Sequence, residues 1–190
     1  MGALLGAAAA PDYPARIVLV ATDRPEAAGL ALAQKAGVGT LSLDARAMGR
    51  AAFEAALDAE LRTHGVELIC LAGFMRILSA DFVGRWAGRA LNIHPSLLPA
   101  YKGLDTHARA LADGVAEHGC TVHWVTPELD SGGIVAQARV AVAPGDTRET
   151  LAARVLEQEH ALYPRALSLV ARQWTPARAS ARTWGETDNG

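Results

Sequence analysis

Short apolar runs alternate along this chain with longer segments in which apolar residues recur every three or four positions. A continuous apolar run is typical of a strand buried on both faces of a parallel sheet, and the longer spacing predicts an amphipathic helix. The pattern therefore predicts strands at 16–21, 66–72, 90–94 and 121–126, helices at 3–10, 25–36, 48–63 and 106–113, and a final helix that Thr147 caps and that ends near Gln173.

Residues 134–142 alternate apolar and polar side chains, which predicts a strand with one solvated face at a sheet edge or in an antiparallel pair. Strands that alternate with helices indicate an α/β fold, a doubly wound and mostly parallel open sheet. We expect one domain over 1–173 and a loosely ordered tail over 174–190, because the tail is rich in Arg, Ser, Thr and Gly without periodicity.

Composition narrows the function classes. Of 190 residues, 51% are hydrophobic and 20% charged, which is typical of a globular chain. A formal charge of −2 gives no general reason to bind nucleic acid or an anionic membrane. Cys70 and Cys120 lie in apolar runs without CxxC spacing, so we expect buried thiols in a reducing cytoplasm. His94, His107 and His123 lie neither in an HExxH motif nor beside cysteines at ligand spacing, so we expect no metal. A monomer or a homodimer is expected.

Asn92 and His94 end the strand predicted at 90–94, two positions apart and therefore on one face. The loop that follows is bounded by Pro95 and Pro99, which restrict its path. Ligands of open α/β sheets bind at the carboxyl ends of strands, which favours a functional pair. The alternative is that both side chains only cap the strand and satisfy the loop backbone.

Asp130 follows the strand predicted at 121–126 and precedes Gly132 and Gly133, which can adopt positive φ and let the backbone approach a ligand closely. An ordinary turn, in which Asp130 hydrogen-bonds its own backbone, is the alternative. We favour a functional carboxylate because the strand is predicted to be parallel, so that this turn lies at the same sheet edge as His94.

These three residue types suit acyl transfer to an amine. A carboxylate beside an imidazole favours the charged ring, so Asp130 is expected to raise the pKa of His94. An amide such as Asn92 can donate to a developing oxyanion while the histidine moves a proton. No serine with a partnered base is evident, which favours direct attack by the amine over an acyl-enzyme.

Motifs around these residues resemble the folate-dependent phosphoribosylglycinamide formyltransferases of purine biosynthesis. The resemblance runs from about residue 3 to about 173, with several motifs in the family's order. They are 71–79 (LAGFMRILS), 91–99 (LNIHPSLLP), His118-Gly119 with Thr121-Val122-His123, 128–133 (ELDSGG), and Gln158-Glu159-His160 with Tyr163-Pro164.

The resemblance implies a Rossmann-like formyltransferase fold and 10-formyltetrahydrofolate as co-substrate. It implies that Asn92 lies at the formyl carbon, that His94 is the general acid and that Asp130 raises the pKa of His94, with His123 in a supporting role. It implies folate contacts from Arg50, Met75, Arg76, Ile77, Leu78, Asn92, Thr126, Glu128, Leu129 and Asp130, and glycinamide ribonucleotide contacts from Leu156, Glu157, Gln158 and Glu159.

Two departures from the family pattern stand out. Relatives begin with a strand and a Gly-Ser-Asn loop that holds the ribonucleotide phosphate, whereas this sequence begins within the helix that would follow, so we expect that first strand to be missing. Asp105 stands where many relatives have histidine.

Other functions stay open. One is a different enzyme that uses 10-formyltetrahydrofolate, although a deformylase would be expected to have His in place of Pro95 and a tRNA formyltransferase a basic additional domain. Another is a folate-binding chain without turnover, because the phosphate loop is absent from this sequence.

Overall fold

The computed structural model describes residues 1–174, and the predicted tail lies outside them from residue 175 onward. Contacts divide the chain into two compact units, Met1–Ile69 and a second unit that starts at Cys70. Within the described residues, none of the helices combines the length and apolar character needed to cross a membrane.

The first unit contains a parallel pair of short strands, with Leu19 opposite Gly39 and Thr22 opposite Ser42. Its buried side chains include Phe53 and Leu61, which lie two turns apart on one helix. The elements are α1 (Gly2–Ala8), β1 (Leu19–Thr22), α2 (Ala28–Lys35), β2 (Gly39–Ser42), α3 (Ala45–Met48) and α4 (Arg50–Thr63).

The second unit is built on a four-stranded sheet in the order β3-β4-β5-β6. Strand β5 is antiparallel to both β4 and β6, with Asn92 opposite His123 and Thr121 opposite Gln137. The elements are β3 (Ile69–Leu71), α5 (Ala80–Arg85), β4 (Ala90–His94), α6 (Thr106–Ala112), β5 (Glu117–Trp124), β6 (Ile134–Ala141) and α7 (Arg148–Arg172).

Helix α7 packs on β5 and β6 through a buried apolar stripe that includes Leu151 and Val155. Farther along, the Tyr163 hydroxyl is shared between the carbonyl oxygens of Leu71 (3.0 Å) and Leu91 (3.1 Å). Burial in these surroundings raises the pKa of Tyr163 well above its usual value, so the hydroxyl stays a donor. The tyrosine therefore ties α7 to the backbone of β3 and β4.

The predicted α/β class is confirmed, and β4, α6, β6 and α7 lie where the pattern places them. The prediction that the strand near 121–126 is parallel is wrong, because β5 pairs antiparallel with β4. The expected edge strand is confirmed as β6. The pattern did not predict β2, α3 or α5; β2 is a four-residue strand, mostly exposed, and carries no apolar run.

Candidate active site

One face of the β4–β5 pair collects the polar side chains of the candidate site. Residues directly opposite in an antiparallel pair project to the same face, which places Asn92 beside His123 and His94 beside Thr121. The Thr121 hydroxyl donates to the Ser96 carbonyl (2.7 Å) and accepts from the Leu98 N–H (3.1 Å). The loop after β4 is thereby fixed to the neighbouring strand.

His94 is held on both sides of its ring. Its Nε2 lies 2.9 Å from the Tyr101 carbonyl oxygen, so Nε2 carries a proton and donates it to that carbonyl. Its Nδ1 lies 3.4 Å from Oδ2 of Asp130, and both side chains are more than nine-tenths buried. The carboxylate therefore faces the ring nitrogen that the Tyr101 carbonyl does not engage.

Asp130 lies in the loop between β5 and β6, with a backbone φ of 48° that side-chain-bearing residues rarely adopt. Its Oδ2 accepts the Gly103 N–H (2.9 Å), and its Oδ1 lies 3.6 Å from His123 Nε2. One carboxylate therefore faces two histidines from a strained backbone position, an arrangement that is common at functional sites.

His123 orients the amide of Asn92. Its Nδ1 donates to the Trp124 carbonyl (2.9 Å), and burial lowers the pKa of His123, so the ring is neutral and Nε2 carries a lone pair. The Nδ2 of Asn92 lies 3.2 Å from that Nε2 and donates to it. The amide is thus fixed with its nitrogen toward His123, and its second N–H is left for another acceptor.

The loop between β5 and β6 explains how Asp130 reaches His94. Antiparallel strands are joined by a hairpin-type loop, and the Trp124 N–H donates to the Gly133 carbonyl where that loop closes (3.0 Å). Neither Gly132 nor Gly133 has positive φ, contrary to our expectation. Gly132 is needed instead because a side chain there would collide with the Trp124 carbonyl.

Sequence reasoning missed the backbone partners of the site. The Tyr101 carbonyl and the Gly103 N–H come from a segment that carries no recognisable motif, and backbone groups have no residue-type signal. Sequence reasoning also assigned no role to His118, a buried histidine of the His118-Gly119 motif, whose Nε2 lies 3.1 Å from His107 Nδ1. Burial lowers the pKa of His118 to about 4, so it is neutral.

The residues expected to contact folate lie in three places. Met75 and Ile77 are exposed on the loop after β3, as is Leu129 beside Asp130, at 66%, 68% and 53%. Thr126 and Glu128 fold the Asp130 loop, since the Thr126 hydroxyl donates to the Glu128 carbonyl (2.7 Å). Of the remaining residues, Arg76 and Leu78 are half-buried on the loop after β3, and Arg50 begins α4 in the first unit.

The four residues expected to contact the ribonucleotide lie on α7. Leu156 and Glu157 are exposed, whereas Gln158 lines a groove between α7 and β6 together with Gln137 and Arg165. Burial raises the pKa of the Glu159 carboxyl. Their role as substrate contacts stays a prediction, as do the roles of all the residues expected to contact folate.

Among residues 1–174, the side chains of His, Cys, Asp and Glu form no group of three or more that could hold a metal ion.

Sequence and structure comparisons decide the family. A profile described as "Formyl transferase" matches residues 1–167. The chain belongs to the formyl transferase family. Its resemblance to this family, predicted from the motifs, is confirmed.

Relatives within the formyl transferase family include phosphoribosylglycinamide formyltransferase of Escherichia coli, which is 48% identical over 80% of this chain and 72% of its own length. The trifunctional purine biosynthetic protein adenosine-3 of Gallus gallus is 49% identical over 89% of this chain. This chain spans 17% of the length of that trifunctional relative.

Solved structures confirm the predicted Rossmann-like formyltransferase fold. Glycinamide ribonucleotide transformylase 1 from Symbiobacterium toebii superposes with a TM-score of 0.87 at 45% identity, over 90% of this chain and 82% of that one. Phosphoribosylglycinamide formyltransferase from Brucella melitensis superposes with a TM-score of 0.85 at 51% identity, over 92% and 91%.

Proposed function

We propose that this chain transfers the formyl group of 10-formyltetrahydrofolate to the amine of glycinamide ribonucleotide, a step of purine biosynthesis. The observation that carries the proposal is the convergence of a buried imidazole, a buried carboxylate and an oriented amide at His94, Asp130 and Asn92. The choice of glycinamide ribonucleotide as the formyl acceptor is based on the names of family relatives, which are phosphoribosylglycinamide formyltransferases.

Asn92 stabilises the oxyanion that forms when the amine adds to the formyl carbon. One N–H of its amide is engaged by His123, which leaves the second N–H to donate to the developing negative oxygen. The amide is preoriented, so it does not have to reorganise as charge develops. Loss of one such donor typically lowers kcat by about 10²–10³-fold.

His94 supplies the proton that the folate nitrogen takes up as its bond to the formyl carbon breaks. Its Nε2 is engaged by the Tyr101 carbonyl, so the proton is delivered from Nδ1, the nitrogen that faces Asp130. Asp130 Oδ2 lies 3.4 Å from this Nδ1, so the carboxylate can accept its hydrogen bond before the proton is transferred. The attacking amine then releases a proton, which returns to His94 and balances the reaction.

Neither Ser96 nor Cys120 is placed to act as a nucleophile. Ser96 is buried, and its hydroxyl donates to the Ala100 carbonyl (2.6 Å). Burial raises the pKa of the Cys120 thiol to about 12, so it is not ionised at neutral pH. We therefore propose direct attack by the substrate amine on the formyl carbon, without an acyl-enzyme.

A reduced folate would supply the activated formyl group, and the exposed apolar side chains of Met75, Ile77 and Leu129 suit a flat heterocycle. Both cysteines are free thiols, which suits a reducing cytoplasm. For the remaining contacts we propose Arg50, Arg76, Leu78, Thr126 and Glu128 on the folate, and Leu156, Glu157, Gln158 and Glu159 on the ribonucleotide.

The test measures two rates on the purified chain, formyl transfer to glycinamide ribonucleotide and hydrolysis of 10-formyltetrahydrofolate. We expect transfer to exceed hydrolysis, and His94→Ala and Asn92→Ala each to lower transfer by about 10²-fold or more. Arg139→Ala is the matched control, because Arg139 pairs with Glu117 on the exposed side of β5 and β6. Hydrolysis that exceeds transfer, or near-normal transfer in the His94 variant, would refute the proposal.

A further inference from the structure

The segment 100–105, between the loop after β4 and helix α6, holds both partners of the central ion pair through its backbone. The Tyr101 carbonyl accepts from His94 Nε2, and the Gly103 N–H donates to Asp130 Oδ2. Displacement of this segment would therefore change the positions of the imidazole and of the carboxylate together.

The backbone of this segment is strained. Tyr101 has φ 57° and Asp105 has φ 56°, in the left-handed region that side chains disfavour. This conformation is unfavourable for residues with side chains unless the surroundings impose it. Contacts from outside the segment must therefore hold it in place.

Arg109 on α6 makes such contacts. Its guanidinium NH1 donates to the carbonyl oxygens of Lys102 (2.7 Å) and Leu104 (3.3 Å), the residues on either side of Gly103. The same guanidinium lies 5.4 Å from the centre of the Tyr101 ring. One exposed side chain thus contacts three residues of the segment.

The contact with Lys102 has a specific consequence. The Lys102 carbonyl and the Gly103 N–H belong to one planar peptide group and point in opposite directions. Arg109 binds that group at its oxygen (2.7 Å), and Asp130 Oδ2 binds it at its N–H (2.9 Å). A cation on the carbonyl fixes the plane and polarises the N–H, which strengthens the bond to the carboxylate.

We propose that Arg109 is a positioning residue for formyl transfer, acting on Asp130 through the Lys102–Gly103 peptide group and on His94 through the Tyr101 carbonyl. This inference rests on the proposed function for its kinetic consequence, but its structural consequence can be measured without substrate. Other contacts of the segment, such as Lys102 to Ser131 (2.6 Å) and Tyr101 to Asp113 (2.9 Å), involve side chains and leave the peptide plane unconstrained.

The experiment compares Arg109→Met, which keeps an unbranched stem and removes the charge, with Arg109→Lys and with the control Arg139→Ala. Three quantities are measured: the amide proton shift of Gly103 by NMR without substrate, kcat and KM for both substrates, and the midpoint of thermal unfolding. We expect the Gly103 resonance in Arg109→Met to move upfield, as it does for a weaker hydrogen bond.

We also expect kcat to fall about 10-fold or more in Arg109→Met, because small displacements of catalytic groups are costly, with KM changed less than about twofold. Arg109→Lys should recover part of both effects, since an ammonium can donate to the Lys102 carbonyl. A Gly103 resonance that stays at its wild-type position would overturn the proposal, whatever happens to kcat. So would a wild-type kcat in Arg109→Met.

The Gly103 readout separates this proposal from the proposed function. If the wild-type chain has no formyl transferase activity, the proposed function fails, while the resonance still shows whether Arg109 controls the peptide bound to Asp130. If Arg109→Met does not fold, Arg109→Gln takes its place in the comparison with Arg109→Lys, because glutamine removes the charge that polarises the Lys102–Gly103 peptide group.

Discussion

Asn92 and His123 face each other across the β4–β5 pair, and the amide of Asn92 donates to the unprotonated Nε2 of His123 over 3.2 Å. The opposite nitrogen of the ring donates to the Trp124 carbonyl, so only one tautomer satisfies both contacts. The proposed chemistry requires this orientation of the Asn92 amide. It is determined by the Trp124 carbonyl, which is two hydrogen bonds away from the amide.

His123→Leu removes the acceptor and leaves the Asn92 amide free to rotate. We expect kcat to fall about 10-fold to 100-fold with little change in KM, because the oxyanion donor is no longer preoriented. Steady-state kinetics of His123→Leu, Asn92→Ala and the double variant form a double-mutant cycle. Effects that simply add would show that the two residues act independently.

Asp130→Asn keeps the shape of the side chain and removes its charge. We expect kcat to fall about 10²-fold or more, since Nδ1 of His94 loses the carboxylate that faces it. The free energy of unfolding should not fall, because asparagine tolerates the left-handed backbone at this position and the buried carboxylate is replaced by a neutral group. Urea unfolding checks the second expectation, and a clearly destabilised variant would mean that the charge contributes to the fold.

Tyr163→Phe deletes the hydroxyl shared by the Leu71 and Leu91 carbonyls. Two buried acceptors then lose a donor, so we expect the free energy of unfolding to fall by about 1–3 kcal/mol. Urea unfolding at neutral pH measures this loss. Leu169→Ala, on the exposed side of the same helix, is the control and should change stability far less.

The buried neutral His118 makes stability depend on pH. Its pKa is lowered from 6.5 to about 4, so below pH 6.5 the unfolded chain takes up a proton that the folded chain excludes. The contribution is present above pH 6.5 and is lost as the pH falls towards 4, by up to about 3 kcal/mol. The difference between the unfolding free energies of the wild type and His118→Gln, measured from pH 7.5 to 4, should follow this curve. A constant difference across that range would contradict it.

The sequence allowed the long amphipathic helix α7 and the strand β4 to be predicted because both are set by local periodicity. It could not give strand direction: the apolar run that includes Val122 reads the same in a parallel and an antiparallel pair. The prediction that Asp130 lies near His94 rests on a parallel strand, which is wrong. The contact forms because a hairpin-type loop after an antiparallel strand brings Asp130 to His94. The contacts of the Tyr101 and Gly103 backbone groups could not be predicted at all. The positive φ at Tyr101 follows from its tertiary contacts and not from its residue type.

The hairpin of β5 and β6 has a further consequence for how such a site can change. Asn92, His94, His123 and Asp130 all belong to adjacent strands and one connecting loop within the second unit, so their mutual distances are set by neighbouring hydrogen bonds. Mutations outside these strands, this loop, segment 100–105 and Arg109 can alter which molecules are bound while the arrangement of the four side chains is preserved. We therefore expect related chains to differ in the acceptor they prefer more readily than in the reaction they catalyse.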